Sequence, residues 1–501
     1  MTEDADDTIS EHEWQAHRRH RNLFRAVYRR THPRLRRSDI TVTDEHMVKR
    51  AVKAAALGNA MEWFDFGIYS YLAVTIGNVF FPSGTETTRL LSSFATFAIA
   101  FLVRPLGGMF FGPLGDRIGR RTVLATTMIM MALGTFCIGL IPSHASIGNW
   151  SPALLVFFRL VQGFSTGGEY GGAATFMAEY APDRRRGFFC SFLELGTLAG
   201  YVAAATLVTV MTTWLGSPTM NAWGWRVPFL VAGPLGLIGV YLRLKLDETP
   251  AYLKLEAQHT APVSFEQGNP DAPPREEFRR IFAEHWRALL LCFALVAAYN
   301  ITDYMLLSYM PTYLTATLGY PETHGLIILL VMMVLLMIVI TFVGRLNDRV
   351  GRKPLLMAGM AGFFVLSLPA FLLLRQGSIA AVAAGMLLLG LPLVCLLGTM
   401  SAALPALFPT DTRYGGLAIG YNLATSLFGG TTPLVITGLI SATGTDLMPA
   451  YYAMAAAGVG MTAVYFMKET AQQPLDGSPP AVATEAEAEA LISSRFPASP
   501  Y

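Results

Sequence analysis

The stretch GPLGDRIGRR, residues 112–121, returns as GRLNDRVGRK at residues 344–353. Asp116 aligns with Asp348, and Arg117, Gly119 and Arg120 align with Arg349, Gly351 and Arg352 at one constant offset. A second pair keeps the same order: APDRRRG from Ala181 is echoed by FPTDTRYGG from Phe408, with Pro182 matching Pro409 and Arg186 matching Arg413. Each copy follows a long apolar run. The chain therefore reads as two similar halves in parallel order, the arrangement of a repeat related by an axis along a membrane normal.

Composition agrees. Of 501 residues 53% are apolar and only 14% charged, whereas soluble domains carry about a quarter charged residues. A hydrocarbon core roughly 30 Å thick takes about 20 apolar residues per helix. On that rule twelve spans are expected, near 53–81, 89–111, 122–141, 152–178, 188–214 and 226–245, then 287–317, 324–344, 355–374, 378–404, 414–440 and 447–467. The fold class is an all-α polytopic membrane protein of twelve transmembrane helices in two six-helix halves. Five regions follow: an Arg-rich N-terminal tail (1–50), an N-terminal half (51–246), a central linker (247–286), a C-terminal half (287–468) and a tail (469–501) expected to be disordered, since it has no sustained heptads.

Loop charges set the orientation. One set of loops holds Arg117, Arg120 and Arg121, then Arg184, Arg185 and Arg186, then Arg349, Arg352 and Lys353, then Arg413. The alternate loops PSHASIGNW, GSPTMNAW, GYPETH and SATGTDL contain neither Lys nor Arg. The positive-inside rule puts the basic loops, both termini and the linker in the cytoplasm of a cell (inner or plasma) membrane protein. The stretch RRHRNLFRAVYRRTHPRLRR at 18–37 is an extreme case, able to attract anionic lipid at about 1 kcal/mol per basic residue; beside twelve spans a nucleic-acid role is excluded.

Several chemistries find no residues. Cys137, Cys190, Cys292 and Cys395 are far apart in apolar runs, and no Cys/His cluster suits a metal. No phosphate-binding GxxxxGK[ST] loop occurs, and no histidine lies inside a span. The chain reads as neither an enzyme nor an ATP-driven pump, with no cofactor; its tails leave no room for the signalling domain of a solute receptor. Oligomeric state is not readable.

Against this background the carboxylates stand out. A charge at mid-bilayer costs roughly 3 kcal/mol and faces the bundle interior or a water-filled cavity. In span one Asn59, Glu62, Phe66 and Tyr69 share a helix face, with Asp65 beside them; span two adds Arg104; span four has Arg159, Gln162, Thr166 and Glu169 at the same spacing. Glu194 in span five continues this polar seam, and Asp303 in span seven is the main intramembrane charge of the other half. Two readings remain: paired ions that fix helix register, or carboxyl groups that gain and lose a proton as access alternates. For the second, Glu169 and Glu62 come first and Asp65 and Asp303 follow, while Arg104 and Arg159 supply a counter-charge or hold a substrate carboxylate. Trp63, Phe66, Tyr69, Tyr170, Tyr299 and Tyr304 either pack or bind an ammonium group through their ring faces. The repeated loops have two readings of their own: a tight turn that marks topology, or a charge latch formed by Gly112, Asp116, Arg117 and Arg120 with Asp348, Arg349 and Arg352.

The chain closely resembles the metabolite:proton symporter family of the major facilitators, and within it the osmoregulatory proline/glycine-betaine:proton symporters. The resemblance is carried by LGNAMEWFDFGIY, FLVRPLGGMFFGPLGDRIGR, QGFSTGGEYGG, AEYAPDRRRGFF, WGWRVPF, YMLLSYMPTYL and MPAYY, from about residue 48 to 470. It implies proton-coupled import of a small zwitterion such as proline or glycine betaine by alternating access, driven by the proton gradient, with the repeated loops acting as a cytoplasmic gate. Relatives that carry dicarboxylates or other organic acids share much of the signature, which makes an anion symporter the alternative. Two departures are visible. Osmosensing members carry a C-terminal coiled coil, whereas the tail after Thr470 has no sustained heptads, which puts osmotic regulation in doubt. Asp303 stands where an aromatic is expected, either altering substrate or proton stoichiometry or pairing with Arg104 or Arg159.

Overall fold

The computed structural model describes residues 36–118, 120–244, 282–410 and 412–493. Residues 1–35 and most of the central linker lie outside these. The helices run in order as α1 (Glu45–Tyr71), α2 (Ala73–Phe80), α3 (Glu86–Leu102), α4 (Arg104–Ile118), α5 (Arg120–Leu140), α6 (Trp150–Ser165), α7 (Glu169–Tyr180), α8 (Arg186–Thr219) and α9 (Arg226–Leu244), then α10 (Trp286–Asp303), α11 (Glu322–Val350), α12 (Arg352–Leu374), α13 (Ile379–Ala403), α14 (Arg413–Ala424), α15 (Thr432–Thr443), α16 (Met448–Phe466) and α17 (Glu485–Ser493). Grouped by span they make six rods in each half. Among the described residues seven helical stretches are long and apolar enough to cross a membrane on length and composition alone. The other rods fall short for physical reasons. The first carries Lys49, Arg50, Lys53, Glu62 and Asp65, and the fourth is cut by a 3₁₀ turn at Thr166–Gly168.

The outer faces show which solvent surrounds the rods. Leu133, Val331, Phe342, Val365, Leu391 and Val459 are each more than half exposed, while charged groups such as Glu62, Arg104, Arg159, Glu194 and Asp303 are buried between helices. Apolar outside and ionisable inside is the distribution a bilayer imposes. One continuous apolar core joins both halves, from Phe97 and Tyr201 to Leu336 and Leu397.

Several helices break within their spans. The rod after α10 opens into π-helical turns at Tyr304–Tyr309 and Tyr313–Thr317, and another follows α14 at Thr425–Gly429. Such turns leave backbone groups to be satisfied by neighbours and commonly mark functional positions. The repeated motif behaves differently: Gly351, at φ 111°, makes the turn between α11 and α12 in a conformation that side chains rarely adopt.

The C-terminal tail departs from the sequence expectation of disorder. Residues 469–493 form an ordered strap. Glu469 accepts the backbone N–H groups of Arg352 (3.1 Å) and Lys353 (3.0 Å) at the start of α12, and those of Thr470 and Ala471. Gln472 donates to the Asp348 carbonyl, Arg186 to the Gln473 carbonyl and Arg413 to the Asp476 carbonyl, at 2.6, 2.9 and 2.8 Å. Strand β2 (Ala481–Val482) then pairs in parallel with β1 (Thr41–Val42), and Ile40, Val482 and Ala488 close a small apolar cluster. The strap touches both halves, and its strand pairing brings both described ends of the chain to one face. The tail escaped sequence reading because its order comes from tertiary partners rather than from its own periodicity.

Burial opposes the Glu469 charge, but the four N–H donors outweigh it and hold the carboxyl below its ordinary value of 4.5. The stability it adds is therefore present above that value and is lost as pH falls through the lower folded value. Glu469→Gln is expected to cost about 1–2 kcal/mol at neutral pH. Thermal melting of the detergent-purified protein should show that difference shrinking under acid.

Candidate functional site

The buried face of α1 organises the first cluster. Glu62 forms an ion pair with Arg104, both nearly inaccessible to solvent. The Arg104 guanidinium also lies over the rings of Phe66 and Phe101, at 5.5 and 5.3 Å. Arg104 opens α4 just after α3 ends at Leu102, so the break in this rod places the cation inside the bundle. Arg159 sits 4.2 Å from the Tyr69 ring centre and donates to Gln162 at 2.9 Å. Gln162 in turn donates to the Thr135 hydroxyl at 2.5 Å, and that hydroxyl reaches Asp65 at 2.8 Å. Glu62, Asp65, Phe66, Tyr69, Arg104, Arg159 and Gln162, grouped by helical spacing, thus meet in space. Thr135 was not foreseen, because a single hydroxyl in an apolar helix carries no periodic signal.

Glu169 lies on the far side of a helix break from Arg159 and Gln162. A 3₁₀ turn at Thr166–Gly168 separates α6 from α7, which Glu169 begins. It accepts from the Thr127 hydroxyl at 2.8 Å. With Glu62 and Asp65 it lines one cavity of about 180 Å³, otherwise walled by apolar residues such as Met61, Met128 and Met131.

A second cluster lies between the halves. Glu194 on α8 accepts from Tyr170 (2.5 Å), Ser401 (3.0 Å), Thr197 (2.9 Å) and Tyr299 (3.3 Å). Thr197 itself accepts from Asn59 at 2.6 Å, and Asn59 accepts from the Trp63 indole at 3.2 Å, which ties α1 to the same network. Tyr170 stacks on Tyr421 with ring centres 4.0 Å apart. Trp63 packs against Tyr304 and Tyr201, at 5.6 and 5.2 Å. Asp303 does not pair with Arg104 or Arg159, as the sequence had allowed. Arg104 is taken by Glu62 and Arg159 by Gln162, and one Asp303 oxygen, Oδ1, has no hydrogen-bond partner.

On the face that carries the termini the halves are latched. Asp348 at the end of α11 accepts from the backbone N–H groups of Gly187 (2.6 Å) and Phe188 (2.8 Å), capping α8 of the other half. The helices cross so closely there that a Cβ on Gly187 would meet the Gly344 carbonyl at 2.7 Å. Arg413 on α14 pairs with Glu179 on α7 at 2.7 Å, a second bond across the halves. Arg352 is buried and donates to Thr470 at 2.6 Å, whereas Arg349 is exposed. The side chains at Gly112, Asp116, Arg117 and Arg120 lie outside the described residues. Glu179 and Arg413 were missed as latch residues, although the Arg186/Arg413 match in the repeat was the signal.

Comparison with known proteins places this geometry in context. The sugar (and other) transporter family matches residues 51–481. A proline/betaine transporter of Salmonella typhimurium is 45% identical over 461 residues, covering 91% of each chain. A glycine betaine/proline/ectoine/pipecolic acid transporter of Dickeya dadantii is 46% identical over 457 residues, 91% of this chain and 90% of that one. An ectoine/proline transporter of Corynebacterium glutamicum is 44% identical over 468 residues, 92% of each. Among solved structures, a major facilitator proton:xylose symporter superposes with a TM-score of 0.67 at 19% identity, covering 89% of this chain and 99% of that one. That likeness is one of fold.

Removing one partner of a buried ion pair strands the other charge, at about 3–5 kcal/mol. Arg104→Ala should lower the melting temperature accordingly, and the Glu62→Gln/Arg104→Gln double variant should lose less than the sum of its single changes. Additive losses would mean that the pair is not coupled.

Proposed function

The chain belongs to the sugar (and other) transporter family of major facilitators, with proline/betaine transporters among its relatives, and on that footing we propose that it is a proton-coupled symporter of small zwitterionic solutes such as proline or glycine betaine. The observation that carries this reading is charge balance. Glu62, Asp65, Glu169, Glu194 and Asp303 are buried within the bundle, against Arg104 and Arg159. Five carboxyl groups facing two guanidinium groups favour protons and ammonium groups over a second negative charge.

In this mechanism the solute's carboxylate is drawn to the Arg104 and Arg159 side of the seam. Its ammonium is held by ring faces and carboxyl groups, with Trp63, Phe66, Tyr69, Tyr170, Tyr299 and Tyr304 as the aromatic candidates and Asn59 and Gln162 as polar ones. Asp65, Glu169, Glu62 and Asp303 are the proton-coupling candidates. Solute and proton enter from the outside, the halves rock, and the latch at Asp348 opens to the cytoplasm. The cytoplasmic side is assigned to the latch face because the Arg-rich loops lie there.

The test is uptake of radiolabelled proline and glycine betaine by the purified protein in liposomes, under an imposed proton gradient and with a dicarboxylate as comparison. Accumulation of the zwitterions, abolished by a protonophore, is expected. Accumulation of the dicarboxylate alone would instead favour an organic-anion symporter of the same fold. Glu169→Gln should remove gradient-driven accumulation if Glu169 carries the coupled proton; unchanged accumulation would take it out of that role.

A further inference from the structure

We propose that Glu194 is a coupling residue whose proton occupancy decides whether the two halves are stapled together at mid-bundle. This inference rests on the proton-symport reading and adds to it the group that converts protonation into movement. Glu194 belongs to the N-terminal half, yet two of its four hydrogen-bond donors, Tyr299 on α10 and Ser401 on α13, belong to the other. Its carboxyl is 1% exposed, and among the described residues no cationic side chain forms an ion pair or hydrogen bond with it. Glu62 differs, since Arg104 balances its charge.

The chemistry follows from the donor set. As a carboxylate, Glu194 accepts from four hydroxyls at once, and its charge strengthens each bond. Those bonds are what offset the cost of an unbalanced buried charge. A proton arriving from the outer side removes the charge and turns one oxygen into a donor, so that all four hydroxyls can no longer be held as before. Tyr299 and Ser401 are the bonds that cross between the halves, and their weakening frees the halves to separate. The proton leaves to the cytoplasm when the opened half admits water.

The position suits this role. Glu194 lies seven residues, or about 10 Å of helix, inside the Gly187 amide that Asp348 caps. Release at mid-bundle and release of the latch therefore act on one helix. The titratable groups facing it are Tyr170 from α7, Tyr299 and Asp303 from α10 and Tyr421 from α14, and Tyr421 interacts electrostatically with both Glu194 and the Glu62–Arg104 pair. From α13 it meets the hydroxyl of Ser401, and α1 enters through Asn59 by way of Thr197.

The experiment compares wild type, Glu194→Gln, Glu194→Asp and Tyr299→Phe/Ser401→Ala in liposomes, with labelled glycine betaine and proline as probes. Two quantities are read: accumulation under a gradient of about one pH unit, and exchange with solute on both sides. A one-proton symporter gains about tenfold accumulation from such a gradient. Wild type is expected to reach it. Glu194→Gln should keep exchange but lose the tenfold accumulation, with a flattened pH profile. Glu194→Asp should accumulate with a shifted profile, and the double variant should accumulate less and leak protons without solute. A Glu194→Gln protein that accumulates with the wild-type pH profile overturns the proposal. Should that variant fail to fold, an unshifted Glu194→Asp profile overturns it instead. If wild type itself ignores the gradient, the symport reading fails along with the inference.

Discussion

A carboxyl group in the middle of a bilayer must be protonated, paired or hydrogen-bonded, and this bundle meets that demand in several ways. Glu62 has a guanidinium, Asp65 and Glu169 have threonine hydroxyls, and Glu194 has four hydroxyls from two halves. Much of the interior architecture serves these arrangements. The break between α3 and α4 delivers Arg104, and Glu169 follows the turn at Thr166–Gly168 and lines one cavity with Glu62 and Asp65. The π-helical opening after Asp303 lies directly beside the unpartnered oxygen of that residue.

The face bearing the termini is linked to this interior through α8. The same helix carries the capped N–H groups of Gly187 and Phe188 at its start and Glu194 about two turns further in. Arg186, immediately before the cap, binds Asp183 and reaches the strap through the Gln473 carbonyl. Ala481 of the strap donates to the other Asp183 oxygen at 3.0 Å. Movement of α8 relative to α11 therefore strains the latch, the strap and the mid-bundle network together. A sugar-type facilitator fold supplies the two rigid halves, and these contacts supply the points at which they are held.

Much of this was legible in the residues. The doubled Asp-Arg-x-Gly-Arg motif marked two halves, and its Gly351 and Asp348 do occupy the turn and the cap that such residues suit. Helical spacing grouped Asn59, Glu62, Phe66 and Tyr69 correctly, because a regular helix preserves that face. Spacing could not show the 3₁₀ turn that precedes Glu169. Spacing is silent where a partner comes from a distant span: Glu194 reads as one more seam residue until Tyr299 and Ser401 are seen beside it, and Asp303 gives no hint that both arginines are already taken. The strap was illegible because strand β2 is ordered by β1 and by Asp183, far away in sequence.

The most direct test of the account is the proton balance of solute binding. Glycine betaine would be added to the purified protein in weakly buffered detergent, with a pH-indicating dye present. The account requires proton uptake with binding, because a solute carboxylate drawn to Arg104 and Arg159 takes counter-charge from the buried carboxyl groups, which then bind a proton before the halves move. Saturable binding with no proton taken up, across the range of pH where transport runs, would contradict it.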